Sequence, residues 1–321
     1  MHATEILLAH AVDYAGLFPP AALGMCEAVR NHAAYLAGDE RWMLGRFVVP
    51  ATRLGELAEA VARETPNGTS PNGTAPNGTA PNGMASWRVS VLAASPLDAT
   101  WAADVAHIAA FRGACAARVD ALELRASAPD AMALARRAAD AVAVAPSATF
   151  VEVPWSADHA AMAEAARAHG VALKLRTGGV TADAFPGADV VARFAAACVA
   201  RGVPFKLTAG LHHALRGEHP LTYEPGCARG TMHGFLNVLA VGALLAAGHD
   251  VPAVAPLLAE RDASAMVVRD DALQWRGLTA GLTDLEAGRR ALVSFGSCSF
   301  AEPVHELRAL GLLPATSRAG A

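Results

Sequence analysis

Two lysines stand in runs that are otherwise apolar: Lys174 in VALKLR and Lys206 in VPFKLT. Both runs read as β-strands, whose successive side chains point to opposite faces. Ala172, Lys174 and Arg176 therefore share one face, against Val171, Leu173 and Leu175. Pro204, Lys206 and Thr208 likewise oppose Phe205, Leu207 and Ala209. A parallel strand covered on both sides is almost entirely Val, Ile and Leu, so the charged faces must look into a chamber that accepts them. The same alternation in neighbouring strands adds Arg46, Glu123, Arg125 and Glu152 to the inward list. Two ammonium groups on adjacent strands repel, and burial penalises both, which favours the neutral amine in one of them. A neutral amine condenses with a carbonyl to give a Schiff base. Glu123 or Glu152 then moves protons during that condensation and the later bond breaking. The alternative is that both lysines are simply paired with the glutamates and keep their charge. Three arginines and two lysines against two glutamates predict a preference for an anionic ligand, a phosphate or carboxylate.

These residues need a frame that brings separate strands to one centre. The chain supplies a strand near Val12–Leu17, a Phe-Pro-Pro turn and a helix from about Ala22, then strand 42–51 and a helix capped by Thr52. Strand 87–95 and helix 96–117 follow, then strand 119–127, a helix from about Pro129, and strand 148–155. A helix capped by Ser156 and ended by Gly170 precedes strands 171–179 and 203–213, which are joined by another helix. The helix 231–248, with Thr231 as its N-cap, an irregular insertion over 251–290 with a hairpin around Asp270–Asp271, strand 291–300 and a closing helix complete it. Eight strands alternating with helices predict one α/β domain over 1–321, a (β/α)8 TIM barrel. An open doubly wound sheet would show a Gly-rich turn after its first strand, and Phe-Pro-Pro is no such turn. The site belongs at the C-terminal ends of the strands.

The barrel is interrupted over 65–85 by a tandem PNGT repeat, a low-complexity linker expected to be disordered. It joins a helix to the next strand, on the face away from the site. Its Asn-Gly-Thr triplets read as accidents of the repeat, because the N-terminus lacks the basic stretch of a secretory signal. The chain is 53% hydrophobic and 17% charged with net charge −4, so nothing marks it for nucleic acid. No apolar run is long enough to span a membrane. Five scattered cysteines without a CxxC suit a reducing cytoplasm better than a disulfide framework. A small molecule is the expected partner, no cofactor or metal is called for, and a homo-oligomer is left open.

Strands five to eight resemble deoxyribose-phosphate aldolase, a Schiff-base-forming barrel lyase. The resemblance rests on Lys174-Leu-Arg-Thr-Gly178, on Lys206-Leu-Thr-Ala-Gly210 and on Gly296-Ser-Cys-Ser299. It implies that Lys174 forms the imine, that Lys206 favours the neutral form of its neighbour, and that Glu123 relays protons where the family uses an aspartate. It also implies a phosphate held by backbone N–H groups around Gly210 and Ser297–Ser299. The chain differs at Arg176, where the family has a small hydroxyl residue, and at His212–His213, which replace a shorter turn.

The connection 214–230 reads as a long loop without regular structure, the usual form of a binding loop or lid. It follows His212 and His213 and contains Arg216, His219, Tyr223, Cys227 and Arg229. Glu123, Glu152 and His212 would be the ligands of a metal-dependent lyase or hydrolase, the rival chemistry. Otherwise His212 or His213 binds substrate or backbone, His219 is solvated, and His233 helps a helix N-terminus receive an anion. Asp13 and Tyr14 either enter the chamber or, for Asp13, cap the Phe-Pro-Pro loop. Cys298 has no base placed beside it by sequence and reads as packing. A third reading is a binding or scaffold barrel without catalysis.

Overall fold

A computed structural model describes residues 2–64, 87–124, 144 and 148–314. The PNGT repeat, the helix expected near Pro129 and Arg125 lie outside the described residues. Eight parallel strands close into a barrel: β1 (Val12–Tyr14), β2 (Leu44–Pro50), β3 (Arg88–Ala93), β4 (Arg118–Leu124), β5 (Thr149–Val153), β6 (Ala172–Arg176), β7 (Phe205–Thr208) and, last in the chain, Leu292–Ser297. Each strand pairs with its sequence neighbour on the barrel, and the last strand sits between β7 and β1. This is the (β/α)8 architecture read from the alternation.

Why the strands close is visible in their two faces. Val89, Val91, Leu122, Leu124, Val151, Leu173, Leu175 and Leu207 belong to one continuous buried core between strands and helices. The opposite faces point into the barrel. Near its N-terminal end they meet in a small apolar plug of Ala121, Phe150 and Ala172. Above that plug, alternation brings the charged residues.

The helices are α1 (Ala3–Leu8), α2 (Met25–Ala37), α3 (Leu54–Glu64), α4 (Trp101–Ala114), α5 (His159–His169), α6 (Ala188–Arg201), α7 (Phe235–Ala246), α8 (Val251–Val254), α9 (Leu282–Ala291) and α10 (Ala301–Ala309). Among these helices none is long and apolar enough to cross a membrane. Three expected caps are corrected. Asp158, not Ser156, caps α5, accepting from the N–H groups of Ala160 and Ala161 at 3.0 Å. An extra 3-10 turn, Ala51–Arg53, displaces Thr52 from the start of α3. Gly234 rather than Thr231 precedes α7, because Thr231 belongs to a strand.

That strand corrects the reading of 214–230 as irregular. β8 (Gly217–Pro220) and β9 (Arg229–Met232) form an antiparallel hairpin within the connection. The 251–290 insertion holds α8 and a three-stranded antiparallel sheet, β10 (Met266–Val268), β11 (Ala272–Trp275) and β12 (Leu278–Gly281). Its first turn lies at Asp270–Asp271, as expected. The last barrel strand, Leu292–Ser297, is therefore β13.

Candidate active site

Register places the lysines side by side, with Glu152 opposite Lys174 and Lys174 opposite Lys206 across β5, β6 and β7. Both lysine side chains are about 2 % exposed or less. Glu123 is rooted one level lower, opposite Phe150, and rises between them. Its Oε2 accepts from Lys174 Nζ at 3.1 Å and its Oε1 from Lys206 Nζ at 2.7 Å. Ser90 Oγ donates to the same Oε1 at 2.7 Å. Lys174 Nζ also lies 2.9 Å from Glu152 Oε2, and Lys206 Nζ donates to Asp13 Oδ2 at 2.6 Å. The result is a charge chain, Asp13–Lys206–Glu123–Lys174–Glu152, extended by Arg176 Nε at 3.6 Å from Glu152 Oε1.

The electrostatics follow from burial and pairing. Burial alone would raise the Glu123 carboxyl, but Lys206 and then Lys174 outweigh it and hold it far below the usual carboxylate range. For Lys206, burial opposes the charge, yet Asp13 and Glu123 prevail and raise it above its ordinary value. Glu152 is lowered against its burial, mainly by Lys174. Lys206 is thus a locked cation, contrary to a picture in which mutual repulsion could neutralise either amine.

Sequence alternation leaves Asp13 with two roles and misses Asp120. Asp13 does not cap the Phe-Pro-Pro loop; it turns inward, and Ser294 Oγ (2.7 Å) and the Arg46 N–H (2.8 Å) donate to it. A β-carbon at position 45 would lie 2.4 Å from Asp13 Oδ1, so glycine there is what lets β2 approach. Asp120 enters through a register shift between β3 and β4; a bulge re-aims a side chain in this way. Arg46 Nε (2.8 Å), Arg88 Nη2 (2.8 Å) and Arg118 Nη2 (2.9 Å) all donate to Asp120. Because Arg88 and Arg118 open their strands, this cluster lies toward the N-terminal end of the barrel. Arg46 is therefore structural and does not line the cavity. With Asp13 and Asp120 present, the interior carries no clear excess of cations, which removes the charge count behind the expected anion preference.

At the C-terminal mouth is a cavity of about 280 Å³ whose charged walls are Lys174, Arg176 and Lys206. Among the described residues no carboxylate lines it, because the acids sit behind the amines. Thr208, His212, Ala209, Gly296 and Cys298 also line it, with Phe18 and Pro19 of the first loop. Of the expected binding residues, Arg176, Thr208 and His212 reach this cavity. Gly210 supports it from behind: φ is +73° there, and a β-carbon would lie 2.9 Å from the Gly178 Cα. Ala209 is also left-handed at φ +64°, a rare state for a residue with a side chain, and it forms the wall itself.

Ser297 and Ser299 are set back from the cavity. Ser297 Oγ lies 3.2 Å from His212 Nδ1, and Ser299 Oγ accepts the Glu302 N–H at 3.2 Å. Cys298 Sγ does have an imidazole beside it, 3.5 Å from His212 Nδ1, but burial pushes its thiol up. Burial also brings His212 down to about 4, so the ring is neutral. His213 faces away, its Nδ1 2.6 Å from Glu306 Oε1. His219 is not solvated but stacked on His213 at 3.4 Å. His233 Nε2 lies 2.8 Å from the Pro186 carbonyl oxygen and its Nδ1 3.0 Å from Arg216 Nη1, so both ring nitrogens have protein partners. Among the described residues no group of three or more His, Cys, Asp or Glu is arranged to hold a metal ion, and Glu123, Glu152 and His212 do not form a ligand set. No protein-family model matches the chain, and no curated protein matches it.

Proposed function

We infer that the barrel is an aldolase-like carbon–carbon lyase, or a related isomerase, that works on a small anionic carbonyl compound through an imine at Lys174. The observation that carries this reading is a single carboxylate, Glu123, bridging two buried amines beneath a cavity whose charged walls are cationic. Of the two amines Lys174 is the better nucleophile. Lys206 is held at 2.6 and 2.7 Å by two carboxylates that are themselves sealed from solvent. Lys174 is held at 2.9 and 3.1 Å, and one of its partners, Glu152, is 21% exposed and can pass a proton outward.

In this scheme Lys174 loses a proton to Glu152 or water and its nitrogen bonds to the substrate carbonyl carbon, while the oxygen gains a proton. Loss of water leaves a protonated imine, which draws the electron pair of the adjacent C–C or C–H bond as it breaks. Lys206 stays charged throughout and keeps Glu123 ionised as the counter-ion that orients Lys174, while Glu152, 2.9 Å from Lys174 Nζ, exchanges the proton with the reacting nitrogen. Arg176, at the rim, pairs with a phosphate or carboxylate on the substrate.

Borohydride reduction in the presence of short aldehydes and 2-oxo acids, followed by peptide mapping, tests this. An adduct on Lys174 that Lys174→Met abolishes is the expected result; no adduct on either lysine refutes it. The complete pairing of both amines favours a second reading, a barrel that binds an anion without turning it over. In that case Lys206→Met weakens anion binding and no substrate is ever trapped.

A further inference from the structure

The β7–α7 connection encloses more space than the lysine cavity uses. Its hairpin roofs a second cavity of about 530 Å³. His212 stands in the walls of both cavities; Pro19 lines the first and Pro20 the second. Cys298 Sγ of the first lies 3.5 Å from Tyr223 Oη of the second. The two chambers therefore abut along one seam.

Most of the second chamber's wall is carbon: Pro20, Pro220, Thr222, Tyr223, Pro225 and Met232. Its polar groups are largely committed elsewhere. Glu302 Oε1 accepts from Tyr223 Oη at 2.8 Å, Arg229 Nε donates to Glu218 at 3.4 Å, and Cys227 Sγ donates to the Thr222 carbonyl at 3.1 Å. His213 is taken by Glu306 at 2.6 Å. A concave, mostly apolar space beside a polar reaction centre suits a ligand's carbon skeleton, with a few polar groups fixing its orientation. At the seam His212 has its Nδ1 engaged by Ser297 Oγ at 3.2 Å, which leaves Nε2 as the nitrogen to meet a ligand.

We propose that the hairpin chamber binds the apolar tail of the substrate whose carbonyl head enters the lysine cavity. The ligand class is an anionic carbonyl compound bearing an alkyl or aryl chain, with His212 donating to it between head and tail. This rests on the lysine cavity being the reaction site.

The test is calorimetric binding of 2-oxo acids of increasing chain length, from 2-oxobutanoate to 2-oxooctanoate, to the full chain. The expected result is affinity rising about fourfold per added methylene as the tail is buried. That rise should flatten in Thr222→Trp and in Cys227→Trp, two independent ways of filling the chamber from the exposed side of the hairpin. Affinity that does not rise in the unmodified protein, or binding of no member of the series, overturns the proposal. So does a rise that persists undiminished in both filled variants, since the tail then lies elsewhere. Borohydride mapping of the same series separates the two ideas. A rise without an adduct on Lys174 removes the imine and keeps the tail chamber; an adduct without a rise does the reverse.

Discussion

Replacing Lys206 with methionine cuts the charge chain at its most enclosed link. In the native protein Nζ lies 2.6 Å from Asp13 and 2.7 Å from Glu123, and the three side chains are at most 2 % exposed. Two unit charges at that distance attract by about 6 kcal/mol at an effective dielectric of about 20. Removing the lysine also removes its own desolvation penalty, so only part of that attraction appears as lost stability. Breaking a buried pair by deleting one partner typically costs about 3–5 kcal/mol. Here the stranded acids keep partners: Asp13 retains the Arg46 N–H at 2.8 Å and Ser294 at 2.7 Å, and Glu123 retains Lys174 at 3.1 Å and Ser90 at 2.7 Å. The expected loss is thus at the low end, about 3 kcal/mol. An unfolding entropy of about 2.1 cal/mol/K per residue over 321 residues turns this into a Tm lowered by about 4 °C.

The pH dependence gives the signature. Glu123 is depressed in the native state, so its contribution is present above its ordinary value near 4.5 and is lost as the pH falls through its folded value. Lys206 is raised, so its contribution is present below about 10.5 and is lost as the pH rises through its folded value. The deficit of Lys206→Met should therefore form a plateau at neutral pH and already be narrower at pH 4, because Glu123 without Lys206 is held less far below its ordinary value and begins to protonate there. Urea unfolding at pH 7 and pH 4 measures it, with Asp13→Asn added to close a double-mutant cycle. The double variant should lose about 1–2 kcal/mol less than the sum of the single ones. A deficit under about 1 kcal/mol at pH 7, or one that persists unchanged at pH 4, refutes the reasoning.

Burial lowers His32 to about 3 and both His212 and His233 to about 4, so each stays neutral when folded but gains a proton when unfolded. Stability should then fall as the pH drops below about 6.5, by up to roughly 1.4 kcal/mol per unit for each group; equal urea midpoints at pH 7 and pH 5 would contradict this, and His32→Phe should make the slope shallower. Gly178→Ala places a β-carbon 2.7 Å from the Gly210 Cα, so it should destabilise the protein by about 1–3 kcal/mol and weaken ligand binding together; unchanged melting and binding would count against the close-approach argument. Asp120→Asn frees three arginines at the far end of the barrel. It should lower stability by about 3 kcal/mol while leaving borohydride trapping at Lys174 intact, and loss of trapping in a folded variant would show that the two ends are coupled.

The lysines were legible because a charge in an apolar strand is anomalous, and alternation says which way it points. Asp13 in VDY and Asp120 in RVDALEL carry the same anomaly. Asp13 reads two ways because it stands just before a loop, and Asp120 escapes because strict alternation puts it on the face opposite Glu123. Only the register shift between β3 and β4 brings it inside. Alternation turns Arg46 inward but says nothing of height along the barrel, and the side chain ends among Arg88, Arg118 and Asp120. The hairpin β8–β9 escaped because its strands are short and rich in Gly, Pro, Thr and charge, with no apolar alternation to announce them.

The amino-acid sequence by itself determined the barrel, the inward direction of Lys174, Lys206, Glu123 and Glu152, and their place on adjoining strands. Those properties follow from periodicity, which is local along the chain. Tertiary structure alone decided that Glu123 bridges the two amines, that Asp13 locks Lys206 as a cation, and that the acids stand behind the cavity wall. Such pairings join residues up to 193 positions apart. They depend on strand register and bulges, which closure of the barrel sets and no single segment encodes.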